Sequence, residues 1–260
     1  YELLLFALSP FESKAGAKKT LEGLLAKKLL LHRKHNNEVS IWHGTDVDLR
    51  GRIEDEKRKH QTTFDLKQFL TEEAEPPVWR PTEYNDKYCT RRFLPGKYCG
   101  IEGLLGEQSL FQGHDVPVGS DGQVYYFLPK TEEDLRFAQK MVRRKTKASR
   151  SIYAIPSQHL DLFNAALEVW CLGQLQTDTD LMEVDPLVPQ ELAQMTEDAR
   201  GHLQQLLDRL LLPGVQGPKW FHLGKEIPAS NARELRKGLS KIMEKVFSKT
   251  PVINNELIVR

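Results

Sequence analysis

Between Leu135 and Arg150 five cations, Arg136, Lys140, Arg143, Arg144 and Lys147, recur at offsets of four, seven, eight and eleven, while Leu135, Ala138, Met141 and Val142 fill the gaps. At helical pitch the two sets point in opposite directions and give one basic stripe and one apolar stripe. No Asp or Glu interrupts this stretch, whereas the next 49 residues, Ser151 to Ala199, hold nine carboxylates and no Lys or Arg. A formal net charge of +1 therefore conceals a strong segregation of sign. Guanidinium and ammonium groups arranged in this way suit phosphate oxygens, as in DNA, or an acidic protein surface. A solvated face is the ordinary alternative.

A second cationic candidate is the adjacent pair Arg91-Arg92, flanked by Tyr88 and Phe93. Two planar forks side by side suit a phosphate clamp or a contact in trans to the nucleotide of a neighbouring subunit. The competing expectation is an ion pair with Glu83 or Asp86. A third group, Lys27, Lys28, Arg33 and Lys34, together with Lys14, Lys18 and Lys19, makes residues 11–35 basic against only Glu12 and Glu22.

Other chemistries find less support. No G-x-x-x-x-G-K-[ST] loop occurs, since Gly16-Ala17-Lys18 and Gly96-Lys97-Tyr98 lack its frame. Cys89, Cys99 and His114 offer three metal ligands, and His32, His35 and His43 cluster nearby, but neither set has paired short spacing; buried thiols and surface imidazoles are expected instead. Asp178 and Asp180 lack the glycine of a calcium loop. No G-x-S-x-G element is present.

The elements that must carry these residues are read from periodicity and turn signals. Phe11 to Ala26 is compatible with a helix, and Leu29–His32 and Val39–Trp42 flank an Asn36-Asn37 turn, the outline of a winged-helix module. Asp46–Lys59 and Phe64–Glu73 read as helices. From Pro76 to Gly122 five prolines and seven glycines predict short elements, with Trp79, Tyr84, Tyr88, Phe93 and Tyr98 holding the segment to a surface. Val124–Leu128, Thr131–Lys145, Ser151–Ile155 and Gln158–Leu172 alternate strand, helix, strand, helix, which implies a parallel crossover. The turn Pro129-Lys130 has no glycine to cradle a phosphate, and a pocket beside Lys130, Pro156 and Ser157 is the one place an independent enzyme would use. Long helices are expected over about Pro189–Leu212 and Asn231–Phe247.

The expected fold is thus mixed, α+β, in four parts: a winged-helix-like module over 1–60, a Pro/Gly/aromatic-rich connector over 61–122, a small α/β unit over 123–176 and a helical region over 177–260. With 260 residues, 40% of them hydrophobic, the chain is long enough to bury a core. No apolar run approaches the roughly 20 residues of a membrane span. Three cysteines make no disulfide framework, so a reducing, cytoplasmic setting is expected. The opening at Tyr1 lacks a signal-peptide pattern and reads as part of something longer.

Several phrases carry a resemblance: Ile41-Trp42-His43-Gly44-Thr45-Asp46-Val47-Asp48-Leu49; Glu83-Tyr84-Asn85-Asp86 with Thr90-Arg91-Arg92-Phe93; and Lys249-Thr250-Pro251-Val252-Ile253-Asn254-Asn255-Glu256-Leu257-Ile258. Together they resemble the region following the nucleotide-binding core in very large bacterial P-loop ATPases of phage-defence islands, notably BREX-type systems. The resemblance spans nearly all 260 residues and implies a parent chain that uses ATP and Mg2+, works with DNA and other subunits of a defence complex, and acts in the cytoplasm. It transfers no catalytic residue. The segment is accordingly expected to be non-catalytic and to couple nucleotide state to DNA or partner binding, with a protein-interaction scaffold, or a winged-helix DNA-binding module without ATPase coupling, as the alternative.

Overall fold

The structure is a computed structural model that describes residues 2–8, 11, 13–27, 29–33, 38–41, 47–104, 119–144 and 148–252. In chain order the elements are α1 (Glu2–Leu8), α2 (Lys14–Ala26), β1 (Leu30–Arg33), β2 (Glu38–Ile41), α3 (Leu49–His60), α4 (Leu66–Glu73), α5 (Thr82–Tyr88) and β3 (Gly96–Cys99). There follow β4 (Gln123–Phe127), α6 (Glu132–Met141), β5 (Ser151–Ile155), α7 (Leu162–Gln176), α8 (Thr179–Val184), α9 (Val188–Leu211), β6 (Lys219–His222), β7 (Lys225–Ile227) and α10 (Ala232–Val246). The protein is mixed α/β. It divides into two compact units, Tyr1–Phe64 with Asn164–Gln205, and Asp65–Phe163 with Leu206–Arg260.

In the first unit, Ser13 caps α2 by accepting the Gly16 N–H at 3.2 Å. Leu5, Ala17 and Leu21 are buried together, with Leu4, Leu8 and Leu30 against them. β1 and β2 pair antiparallel, Leu30 opposite Ile41; the expected Asn36-Asn37 turn lies outside the described residues. Further along, Lys57 of α3 reaches both Glu54 and Glu168, each at 3.0 Å. Burial lowers the Lys57 pKa, but the two carboxylates outweigh it and the net shift is upward. His60 packs edge-on to Trp170 with centroids 4.8 Å apart.

The second unit is built on a five-stranded sheet ordered β3-β4-β5-β6-β7. β3, β4 and β5 run parallel, while β6 and β7 are antiparallel additions. Every residue of β4 and β5 is buried, as strands covered on both faces must be. On one face Tyr125, Phe127, Tyr153, Ile155 and Phe221 pack with Leu135, Ala138 and Val142 of the α6 segment. On the other, Trp79 donates its indole N–H to the Tyr126 hydroxyl at 2.7 Å and meets the Trp220 ring edge-on at 5.7 Å. α10 covers this second face: Gly238 lies so close to Ile227 that an added Cβ would stand 2.6 Å from its Cγ2.

Three strands arise where the sequence pattern predicts none. β3 comes from the segment expected to be a connector, and its companions Trp79, Tyr84 and Tyr98 are buried in the unit's interior. β6 and β7 come from the region expected to be helical. Their two-residue turn, Leu223-Gly224, has positive φ at both positions, 48° and 81°, the backbone of a type I′ hairpin. The helix expected to reach Lys145 ends at Met141. Beyond it the Arg143 and Arg144 carbonyls lie 2.9 and 2.8 Å from where a Gly224 Cβ would be, so packing against the hairpin turn accompanies the departure from helix.

Candidate polyanion interface

α6 starts at a reciprocal cap. Asp134 donates its N–H to the Thr131 hydroxyl at 3.1 Å, and the Asp134 carboxylate accepts the Thr131 N–H at 3.2 Å. This fixes the phase that buries Leu135 and Ala138 and leaves Arg136 and Lys140 exposed. Glu132, Glu133 and Asp134 occupy the first turn and Lys140 the last, which also suits the helix dipole.

The five stripe residues meet different fates. Arg136 pairs with Glu132 one turn back at 3.1 Å, both side chains at least 70% exposed, a contact of the kind worth only a few tenths of a kcal/mol. Arg143 lies beyond the helix, 5.4 Å over the Phe221 ring and 3.8 Å from Glu226. Lys140 and Arg144 are exposed and have no ion pair among the described residues. Lys147 lies outside the described residues. The stripe is thus part helix, part turn, and only partly neutralised.

In the first unit Lys27 is exposed at the end of α2, and Arg33 lies in β1. Lys28 and Lys34 are outside the described residues.

Arg91 and Arg92 part company. Arg91 is exposed, with no ion pair among the described residues. Arg92 pairs with Asp121 and not with Glu83 or Asp86, because its backbone is turned inward by Asn85. The Asn85 amide donates to the Arg92 carbonyl at 2.9 Å and its oxygen accepts the Arg92 N–H at 3.0 Å. The guanidinium then stacks 3.6 Å from the Phe247 ring centroid and donates to Thr250 at 3.4 Å. Tyr84 also donates to Thr250, at 2.7 Å. Segments 83–86, 90–93 and 249–250 thus meet around one arginine. A cavity of about 540 Å³ opens beside it, but Asp121 already balances its charge, so an incoming phosphate would have to displace a carboxylate.

Another basic row stands outside the candidates named from sequence. Lys237, Lys241 and Lys245 recur every four residues along α10 and are exposed, opposite the buried Leu235, Leu239 and Met243. Their spacing is as legible as that of the stripe, but a carboxylate-free window does not contain them, since Glu234 precedes the row and Glu244 interrupts it. With Lys225 of β7 they line a cavity of about 550 Å³ whose apolar wall includes Ile227 and Ile242. Its carboxylates are engaged: Glu226 pairs with Arg143, and Glu234 accepts from Ser230 N and Oγ at 2.9 and 2.7 Å, which holds its pKa below the usual carboxylate value. Lys225, Lys237, Lys241 and Lys245 form no ion pair among the described residues.

Of the remaining candidates, Cys99 is buried and its thiol is pushed up to about 12, chiefly by loss of solvent. Cys89 is exposed, and His114, His35 and His43 lie outside the described residues. Among the described residues no three metal-ligating side chains gather. At the strand ends the Ser157 hydroxyl donates to the Gly217 carbonyl at 2.6 Å, a structural use of that group. No described helix is long and apolar enough to cross a membrane. No protein-family model, curated protein or solved structure matches this chain.

Proposed function

We propose that this chain is a non-catalytic, DNA-contacting segment of a larger bacterial defence ATPase of the BREX type, in which it couples nucleotide state to DNA or to a partner subunit. The observation that carries the DNA contact is the outer side of the α6 segment. Arg136, Lys140 and Arg144 are exposed there, with Lys140 and Arg144 unpaired among the described residues, while the opposite side is anchored in the sheet by Leu135, Ala138 and Val142. A ridge of exposed cations on an anchored helix suits sequence-independent contact with a phosphate backbone. The order α2, β1, β2, with Lys27 exposed, supports a winged-helix-like reading of the N-terminal part, and β4-α6-β5-α7 supports a small α/β unit at residues 123–176. ATP and Mg2+ belong, in this proposal, to the parent chain, and its setting is the cytoplasm. The phrases behind the resemblance include residues that clamp Arg92, so their role within this segment is to hold the fold together.

The test is DNA binding as a function of salt. Replacing Arg136, Lys140, Arg143 and Arg144 together by Gln is expected to weaken duplex binding and to lower the slope of log K against log salt by up to about 3.6, at about 0.9 for each lost phosphate contact. An unchanged slope removes the stripe from the interface. Coupling to nucleotide is tested on the natural full-length protein: DNA-stimulated ATP hydrolysis should fall in the same variant.

A further inference from the structure

The groove between β7 and α10 is a second cationic site, and it differs in shape from the ridge on α6. One wall is the row Lys237, Lys241 and Lys245, the other carries Lys225, and Ile227 with Ile242 contributes apolar surface between them. Register places Lys225 opposite His222 and Glu226 opposite Phe221. Side chains alternate along a strand, so Lys225 faces the α10 side and Glu226 the α6 side, where Arg143 holds it. Glu226 and Glu234 also border the groove, but both carboxylates are engaged, by Arg143 and by Ser230. Burial, and to a lesser degree Lys245, lowers the His222 pKa against the opposing Ser149 hydrogen bond, which disfavours a further positive charge at this edge of the groove.

We infer that this groove binds a single nucleic-acid strand through its phosphates, an assignment that rests on the same polyanion reading as the proposed function. Residues four apart on a helix are about 6 Å apart along its axis, comparable to the reach of the six backbone bonds that separate successive phosphates of an extended strand. Lys237, Lys241 and Lys245 therefore keep step with successive phosphates of an extended strand running along α10. A duplex fits less well. A helix that enters a major groove needs clear space on both flanks of its contacting face, whereas β7 stands alongside the lysine row of α10. An open channel with a cationic wall and an apolar floor accommodates backbone and bases of one strand without choosing a sequence.

The test uses the whole chain and a fluorescein-labelled oligo-dT of about 20 nucleotides, beside a duplex of the same length, read by fluorescence anisotropy across a salt series. The variant K237Q/K241Q/K245Q alters only exposed side chains, and its thermal unfolding verifies that the fold is kept. Single-strand binding is expected to weaken at least about 10-fold and its salt slope to fall by roughly 2, at about 0.7 per phosphate, with duplex affinity changed less than about 3-fold. Unchanged single-strand affinity and slope overturn the groove while leaving the α6 ridge standing. Equal losses on both probes overturn the assignment to a single strand. If the ridge variant leaves duplex binding intact while the groove variant loses oligo-dT, the groove stands and the ridge falls. Absence of oligo-dT binding, with self-association in sedimentation that the lysine variant abolishes, overturns it in favour of a second copy's acidic surface.

Discussion

His222 is the residue at which one proton has the clearest structural cost. It is half-buried, donates from Nε2 to the Ser149 carbonyl at 2.8 Å, and has its pKa lowered below 6.5 mainly by burial. A base whose folded pKa is depressed binds fewer protons when folded, so its contribution is complete above 6.5 and is lost as pH falls towards the folded value. His222→Gln keeps a donor for Ser149 and should flatten the decline of stability below that pH; denaturant midpoints measured across the acid limb check this, and an identical decline in both proteins rejects it. At this scale the sequence is partly readable. The exposure of Arg136 and Lys140 follows from local spacing alone. Arg92 cannot be placed that way, since Asp121 is 29 positions distant and Phe247 arrives from the end of α10.

Among the elements, α6 announces its start because Thr131 and Asp134 form a local cap that needs no tertiary partner. Its end at Met141 coincides with packing of the next residues against the β6–β7 turn, which periodicity cannot see. That hairpin is itself hidden, because its strands are only four and three residues long and its turn is Leu-Gly where Asn-Gly is the usual signal. Leu223 holds φ at 48°, a conformation that costs an ordinary residue roughly 1 kcal/mol or more. Leu223→Asn is expected to stabilise the second unit by about 0.5–1 kcal/mol. A rise in unfolding midpoint with unchanged denaturant dependence is the predicted result, and a fall would mean that the partly buried leucine packs more than its backbone strains. β3 escapes notice for a related reason: Gly96 is required there by the approach of Pro76, whose Cβ would stand 2.4 Å from one added to the glycine, and a glycine-led strand looks like loop.

For the molecule as a whole, charge segregation is readable and connectivity is not. The carboxylate-rich window and the basic ridge follow from counting, but sheet membership depends on pairings between residues 96–99, 123–127, 151–155 and 219–227. A fragment of residues 65–163 therefore lacks β6, β7 and α10, leaving β5 with an unpaired edge and Trp79 without Trp220. We expect it to show no cooperative unfolding by calorimetry, whereas co-expression with residues 206–260 should restore a transition; a sharp transition from the first fragment alone would refute this. The same interleaving bears on biosynthesis. Each unit is completed by chain that leaves the ribosome after Asn164, so the N-terminal stretch cannot mature before the parallel strands have also been translated. Those strands must then wait, incompletely covered, until the final helix has emerged.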